Sequence, residues 1–219
     1  MESKFRFNAI KVLFLNCAGL KHHYDDIKVD KKIQKSDIFH LLEISLLESD
    51  DEEKYSIYGY NNKIQKVDNG KGIRTYFKDD SYSINEVITT DKFQIGSYKN
   101  DTWDLDVLCL YRSQIRSSSK VLEDIQRLIN DSRRTLVVGD FNICYDENFR
   151  NPLIQGLLAA GFQQLVHEPT HLGRRKIDDA YIRDPTKRLK LFVDRYNPYY
   201  SGHDAISITL IEQKSTSLE

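Results

Sequence analysis

The chain has 219 residues, a formal net charge of -1, and 40% hydrophobic against 30% charged residues. That length suits one domain with a large core, and the near-zero charge excludes a general basic field for nucleic acid, although 32 lysines and arginines leave room for a local basic groove. No apolar run approaches the roughly 18 residues that a membrane span needs, and Met1-Glu2-Ser3-Lys4-Phe5-Arg6 does not read as a signal peptide. Cys17, Cys109 and Cys144 form no CxxC pair and are odd in number, so reduced thiols in a reducing, intracellular compartment are expected.

In chain order, residues 10–15 are nearly all apolar and predict a strand buried on both faces, ended by Asn16. Residues 22–35 are charged with sparse apolar anchors and read as an exposed helix or a long loop. A second strand over 37–42 is followed by Glu43. Residues 48–53 are acidic and loop-like, 55–60 resume extended structure, and Asn61-Asn62 reads as a turn. The turn Asp68-Asn69-Gly70 launches a strand over 73–77, with further strands over 82–88, 93–98 and 103–111. In the last of these, Trp103, Leu105, Val107, Cys109 and Tyr111 share one side, and Leu108 and Leu110 bury the other.

Val121, Leu122, Ile125, Leu128 and Ile129 fall at helical spacing behind possible caps at 117–119. Leu136, Val137 and Val138 then run into Gly139-Asp140-Phe141-Asn142, a strand whose last carboxylate emerges at the sheet rim, with Asn142 on the same face. A carboxylate and a carboxamide placed so can orient a water and hydrogen-bond a phosphate oxygen. A second helix starts at Pro152, capped by Asn151, and stops at Gly161. Strands over 177–182 and 205–210 close a mixed α/β domain with many strands. Five strand ends carry unusual polar residues: Asn16, Glu43, Tyr111, Asp140 with Asn142, and the turn Ser201-Gly202-His203-Asp204. Such ends can converge on one rim of a sheet protein.

The ordered set Leu15-Asn16, Leu42-Glu43, Leu110-Tyr111, Gly139-Asp140-Phe141-Asn142, Lys176-Ile177-Asp178 and Ser201-Gly202-His203 resembles the endonuclease/exonuclease/phosphatase superfamily. That superfamily includes pancreatic deoxyribonuclease, apurinic/apyrimidinic endonucleases and the endonuclease domains of LINE-type retrotransposons. Pro169-Thr170-His171 and the compact length are similar to the mobile-element branch. The resemblance implies an α/β four-layer sandwich of two packed, mostly antiparallel or mixed sheets flanked by helices. It would be one domain over 1–219, with a core at about 8–211 and a polar tail at 212–219.

The function implied is a divalent-metal-dependent endonuclease that hydrolyses DNA phosphodiester bonds and nicks one strand. By the same resemblance, Glu43 with Asn16 beside it would bind Mg²⁺, with Mn²⁺ as a second choice. Asp178 would accept a hydrogen bond from His203, Asp140 would orient the attacking water, and Asn142 and Tyr111 would hold the phosphate. Which of His203 and Asp140 is the base stays open, and both count as catalytic. Thr170, His171, Ser201, Gln114, Arg112 and Arg174 complete the expected substrate-binding set, with Arg116, Arg175 and Lys176 as further cations near the rim. Tyr199 and Tyr200 are expected to pack rather than to stack on a base.

Two departures stand out. Where the family has Ser-Asp-His this chain has Ser201-Gly202-His203, so a carboxylate is missing unless Asp204 or Asp179 replaces it. Gln114 stands where Asn is common. DNA is the expected partner and the nucleus the expected setting, with no membrane role. RNA or a small phosphate ester is the alternative substrate, and a catalytically impaired nucleic-acid-binding module, because of Gly202, is the alternative function. Parent polypeptide and oligomeric state are open.

Overall fold

In a computed structural model that describes residues 9–47, 49–65, 71–78, 82–90, 92–113, 117–144 and 150–213, the apolar runs pair into two six-stranded sheets. The first has the order β11 (Leu189–Tyr196), β12 (Ala205–Glu212), β1 (Ala9–Asn16), β2 (Ile38–Leu42), β4 (Ile73–Phe77), β3 (Asn61–Gln65). The second has the order β5 (Tyr82–Thr89), β6 (Phe93–Asn100), β7 (Leu105–Arg112), β8 (Arg134–Asp140), β10 (Asp178–Arg183), β9 (Gln163–Gln164). Each sheet has one parallel pair near its centre, β1 with β2 and β7 with β8, and is otherwise antiparallel. Those central strands are covered on both faces, which explains why they read as unbroken apolar runs.

The sheets pack face to face. Val12, Phe14, Ile38 and Leu42 of one meet Val107, Cys109, Leu136 and Val138 of the other in the largest apolar cluster. The expected alternation in β7 holds, because Leu108 and Leu110 turn outward to a second cluster with the helices α3 (Ser118–Leu128) and α4 (Pro152–Ala159). On the opposite outer face, Leu13, Leu15, Phe39 and Leu41 pack beneath α1 (Leu20–Val29) and α2 (Lys31–Gln34). The result is the four-layer α/β sandwich. Asn151 caps α4 by accepting from the Leu153 N–H, with Pro152 in the first turn, as its sequence signals. Among the described residues no helix is long and apolar enough to cross a membrane.

Local details refine or overturn the expected elements. Residues 22–35 form two helices, because the Asp30 side chain accepts from the N–H groups of Lys32 and Ile33 and restarts the helix after a break. Residues 55–60 are a 3-10 turn and loop, and β3 begins at Asn61, where a turn is expected. Tyr55 and Tyr60 there pack their rings against the α1 side of the sheet, so their spacing reflects loop packing and not strand alternation. β11 is an edge strand with only Leu189, Leu191 and Tyr196 turned toward apolar clusters, too weak a pattern to read in sequence.

Gly139 is tied to this architecture. Its φ of +141° is rare for a side-chain-bearing residue, and an added Cβ would stand 1.9 Å from the carbonyl oxygen of Leu110 on the neighbouring parallel strand. Gly139→Ala is therefore expected to lose about 3 kcal/mol of stability, read as a lower urea midpoint with an unchanged slope. An unchanged midpoint would show that β7 and β8 can separate at no penalty.

Candidate active site

The carboxyl ends of the parallel strands β1, β2, β7 and β8 and the amino ends of the antiparallel β10 and β12 lie at the same rim, by the strand registers. Asn16 and Asp140 are the last residues of β1 and β8, Glu43 follows β2, and Tyr111 is the last but one residue of β7. Asp178 opens β10, and His203 precedes β12.

At the centre, Asp140 and Asp178 are directly opposed across the antiparallel pair, and each is 1% exposed. Asp140 accepts from the Asn16 side-chain amide (3.0 Å) and from the Asn142 backbone N–H (2.9 Å), with the Asn142 side-chain amide at 3.4 Å. The Asp178 Oδ2 is 2.8 Å from His203 Nδ1 and accepts from the Thr170 hydroxyl at 2.8 Å. Thr170 Oγ1 in turn accepts from the Asp178 backbone N–H (3.1 Å). The Asp178 Oδ1 is buried without a hydrogen-bond partner. Ligand atoms of Asp140, Asp178 and His203 all lie within 4.8 Å of one another.

Beside this set, the Tyr111 hydroxyl donates to Glu43 Oε1 (2.8 Å), and Lys71 Nζ stands 3.4 Å from the same oxygen. Glu43 adopts a positive φ of 50°, which turns the chain at the end of β2. Asn142 has the same φ of 50°, and its side-chain amide also donates to the carbonyl of Arg112 (2.9 Å). The Ser201 hydroxyl donates to the Asn16 carbonyl (2.7 Å) and accepts from the His203 N–H (3.0 Å), fixing the turn that carries the histidine.

The electrostatics follow from burial and opposition. Burial, then the facing Asp178 charge, push the Asp140 carboxyl well above the usual carboxylate range, against the partial relief of His203 and Asn16. Burial pulls the His203 imidazole down, yet the hydrogen bond and charge of Asp178, with Asp140 and Glu43 behind it, raise it on balance. The Tyr111 phenol is raised by burial and by Glu43, so it remains a proton donor to that carboxylate.

The expected site residues are thus brought together, with exceptions at the periphery. Arg112 is buried, and its guanidinium donates to the carbonyls of Phe141 (3.1 Å) and Asn142 (3.4 Å), so it faces the loop rather than open solvent. Lys176 is buried with Nζ on the Val166 carbonyl (3.3 Å), whereas Arg174 and Arg175 are exposed. Gln114 and Arg116 lie outside the described residues. Neither proposed substitute for the missing carboxylate enters the site. Asp204 accepts from Asn197 and pairs with Arg195, and Asp179 points to the other face of β10, where Gln164 and Tyr181 donate to it. Tyr200 packs as expected, whereas Tyr199 is exposed. Lys71 escaped the sequence reading, since a lysine between two loop glycines carries no signal for a carboxylate contacted from another strand.

A divalent cation fits this donor set. Asp140, Asp178 and His203 offer carboxylate and imidazole ligand atoms within 4.8 Å of one another, the raised proton affinity of Asp140 marks a carboxylate short of positive charge, and Asp178 keeps a buried oxygen without a donor.

No protein-family model matches this chain, and no curated protein matches it in sequence. Among solved structures it is similar to an AP endonuclease from Archaeoglobus fulgidus, with 12% identity over 94% of this chain and 100% of that one and a TM-score of 0.71. It is also similar to the endonuclease domain of TRAS1, a telomere-specific non-LTR retrotransposon, with 16% identity over 94% of this chain and 100% of that one and a TM-score of 0.69. D. rerio TDP2 complexed with single strand DNA product has 16% identity over 93% of this chain and 99% of that one, with a TM-score of 0.69. All three have the endonuclease/exonuclease/phosphatase fold, and this chain has it too. At these identities the likeness is one of fold.

The raised His203 value has a sign that can be measured. A histidine that binds its proton more tightly in the folded state adds stability that is present in full below its ordinary value of 6.5 and is lost as the pH rises through the folded value. His203→Ala should therefore cost the metal-free protein most at pH 6, by about 1 to 2 kcal/mol, and less at pH 9. Urea denaturation at the two pH values checks it; equal losses at both would show that His203 binds its proton no more tightly in the folded state than in the unfolded one.

Proposed function

We propose that this chain, on the endonuclease/exonuclease/phosphatase fold, is a divalent-metal-dependent endonuclease that hydrolyses DNA phosphodiester bonds and nicks one strand, of mobile- or viral-element type. The observation that carries the reading is the convergence of Asn16, Glu43, Tyr111, Asp140, Asn142, Asp178 and His203 at one rim, in hydrogen-bonded sets. The similar structures support it, since they include an AP endonuclease, a retrotransposon endonuclease domain and a protein complexed with single strand DNA product. Free Cys17, Cys109 and Cys144 suit a reducing, intracellular setting for this activity, with the nucleus as the compartment of its substrate.

In this reading Asp178 holds His203 by Nδ1, which leaves Nε2 as the nitrogen that exchanges a proton beside the scissile phosphate. Asp140 and Asn142 present an oxygen and an amide within hydrogen-bonding reach of one another, suited to orient a water for in-line attack and to hold a phosphate oxygen. The Tyr111 hydroxyl, shared with Glu43, is a second donor at the phosphate. Mg²⁺, or Mn²⁺, held by Glu43 with Asn16 beside it, would supply Lewis-acid stabilisation of the charge that grows on the phosphoryl oxygens. Arg112 acts as a brace of the Asp140–Asn142 loop and leaves phosphate contact to Arg174, while Thr170 positions Asp178. Gly202 supports a second reading, a nucleic-acid-binding module with impaired catalysis, because neither Asp204 nor Asp179 restores the carboxylate.

Conversion of supercoiled plasmid to open circle separates these readings. Wild-type protein is expected to nick with Mg²⁺ or Mn²⁺ and to stop with chelator, and His203→Ala should be slower by about a hundredfold or more. Nicking that appears only in Gly202→Asp would favour the impaired module. No nicking by either, with DNA binding retained, would end the endonuclease reading.

A further inference from the structure

A strand at the edge of a sheet turns every second N–H and C=O outward, and folded proteins keep such edges short, bent, polar or covered. Among the described residues the two sheets end in β11, β3, β5 and β9. β9 has two residues, β3 has five and opens on Asn61-Asn62-Lys63, and β5 is bent by a bulge between Ile84 and Glu86. β11 has none of these protections. It runs for eight residues without a proline, in unbroken register with β12, and carries Phe192 at 48% and Val193 at 42% exposure.

The ladder with β12 fixes which groups point outward. Gln213 N–H donates to the Arg188 carbonyl at 2.9 Å, and bonded and open positions alternate along an antiparallel pair. Lys190, Phe192, Asp194 and Tyr196 therefore bond to β12, while Leu189, Leu191, Val193 and Arg195 turn their N–H and C=O outward. The Leu189 N–H bears this out, since it donates to the Asp184 carboxylate at 2.9 Å. A second copy of β11 can bond this edge only if outward residues meet outward residues, so a two-fold axis must pass through a residue and not between two. Charge then selects the residue. Lys190, Phe192 and Asp194 share one face, with Lys190 Nζ 4.9 Å from the Phe192 ring centre and the exposed Asp194 carboxylate 3.4 Å from Lys32 Nζ. With the axis at Phe192, Lys190 stands opposite Asp194 of the second copy, twice over, and Leu191 stands opposite Val193. An axis at Leu191 sets Lys187 against Arg195, and one at Val193 sets Phe192 against the Asp194 carboxylate.

We propose that β11 is a self-association edge, at which a second copy of this chain pairs antiparallel about a two-fold axis through Phe192 and joins the two first sheets into one. Leu191 and Val193 exchange backbone hydrogen bonds across the axis, the Arg195 N–H reaches the Leu189 carbonyl, and the two Phe192 rings meet at the centre, where an open pair brings side chains closest. The contact is the same patch on both copies and closes on itself, so it stops at a dimer. β12 begins at the active-site rim and β11 ends there, so the two-fold turns the two rims to opposite ends of the joined sheet and covers neither. The inference is independent of the chemistry at the rim.

Sedimentation equilibrium of the full chain tests this. The expected result is a reversible monomer–dimer equilibrium with a Kd on the order of 10 µM. Val193→Pro removes an outward N–H and spares the ladder to β12, so it should weaken the dimer about tenfold or more while keeping the wild-type urea midpoint. Asp194→Lys sets like charges against Lys190 and should also weaken it about tenfold, and Lys190→Asp combined with Asp194→Lys should restore it. These charge variants leave the backbone unchanged and decide alone should the proline unsettle β11. Phe192→Cys should form a disulfide between two copies on mild oxidation, which the wild type does not. A monomer throughout at about 100 µM, a dimer as tight in Asp194→Lys as in wild type, or a double charge variant no tighter than Asp194→Lys would each overturn the proposal.

Discussion

Two carboxylates opposed in the register of one buried antiparallel strand pair, Asp140 and Asp178, impose the constraint around which this rim is built. Left alone, like charges so placed would repel and would lack the water that stabilises them. Donors answer each in turn: Asn16 and the Asn142 N–H serve Asp140, and Thr170 and His203 serve Asp178. The compensation is incomplete, as the raised Asp140 carboxyl and the orphaned Asp178 oxygen show. That residual demand for positive charge is what makes the site chemically useful, at the expense of some stability.

The donors also cross the seam of the sandwich. Asn16 to Asp140, Tyr111 to Glu43 and His203 to Asp178 each join a residue of the first sheet to one of the second. Two sheets held by apolar packing alone could slide with little directional penalty, whereas three hydrogen bonds at one edge set their relative position there. Gly139 lets the β8 backbone come against Leu110 just before Asp140, and Arg112 clamps the following loop through its carbonyls. These features hold the groups before any substrate arrives, which is the condition for electrostatic catalysis.

Around this centre the charge is uneven. Glu43 gathers the Tyr111 hydroxyl and Lys71 on one side, and exposed Arg174 and Arg175 stand on the turn beside His171 on the other.

Much of this was determined by the sequence alone. Unbroken apolar runs over 10–15 and 136–138 declared strands covered on both faces, and polar residues at their ends declared a rim, because a buried strand leaves few other places for an Asn or an Asp. The ordered motifs named the fold and most of the polar residues that meet at the rim. What only the tertiary structure decided concerns partners that are far apart in sequence. Arg112 and Lys176 look like surface cations until their buried carbonyl partners are known, and Asp179 looks equivalent to Asp178 until strand alternation sends it to the opposite face. Lys71 beside Glu43 left no mark at all. Periodicity reports which side of an element is buried, but it does not say which distant residue lies across the gap; that depends on register and sheet packing, and these are properties of the folded chain.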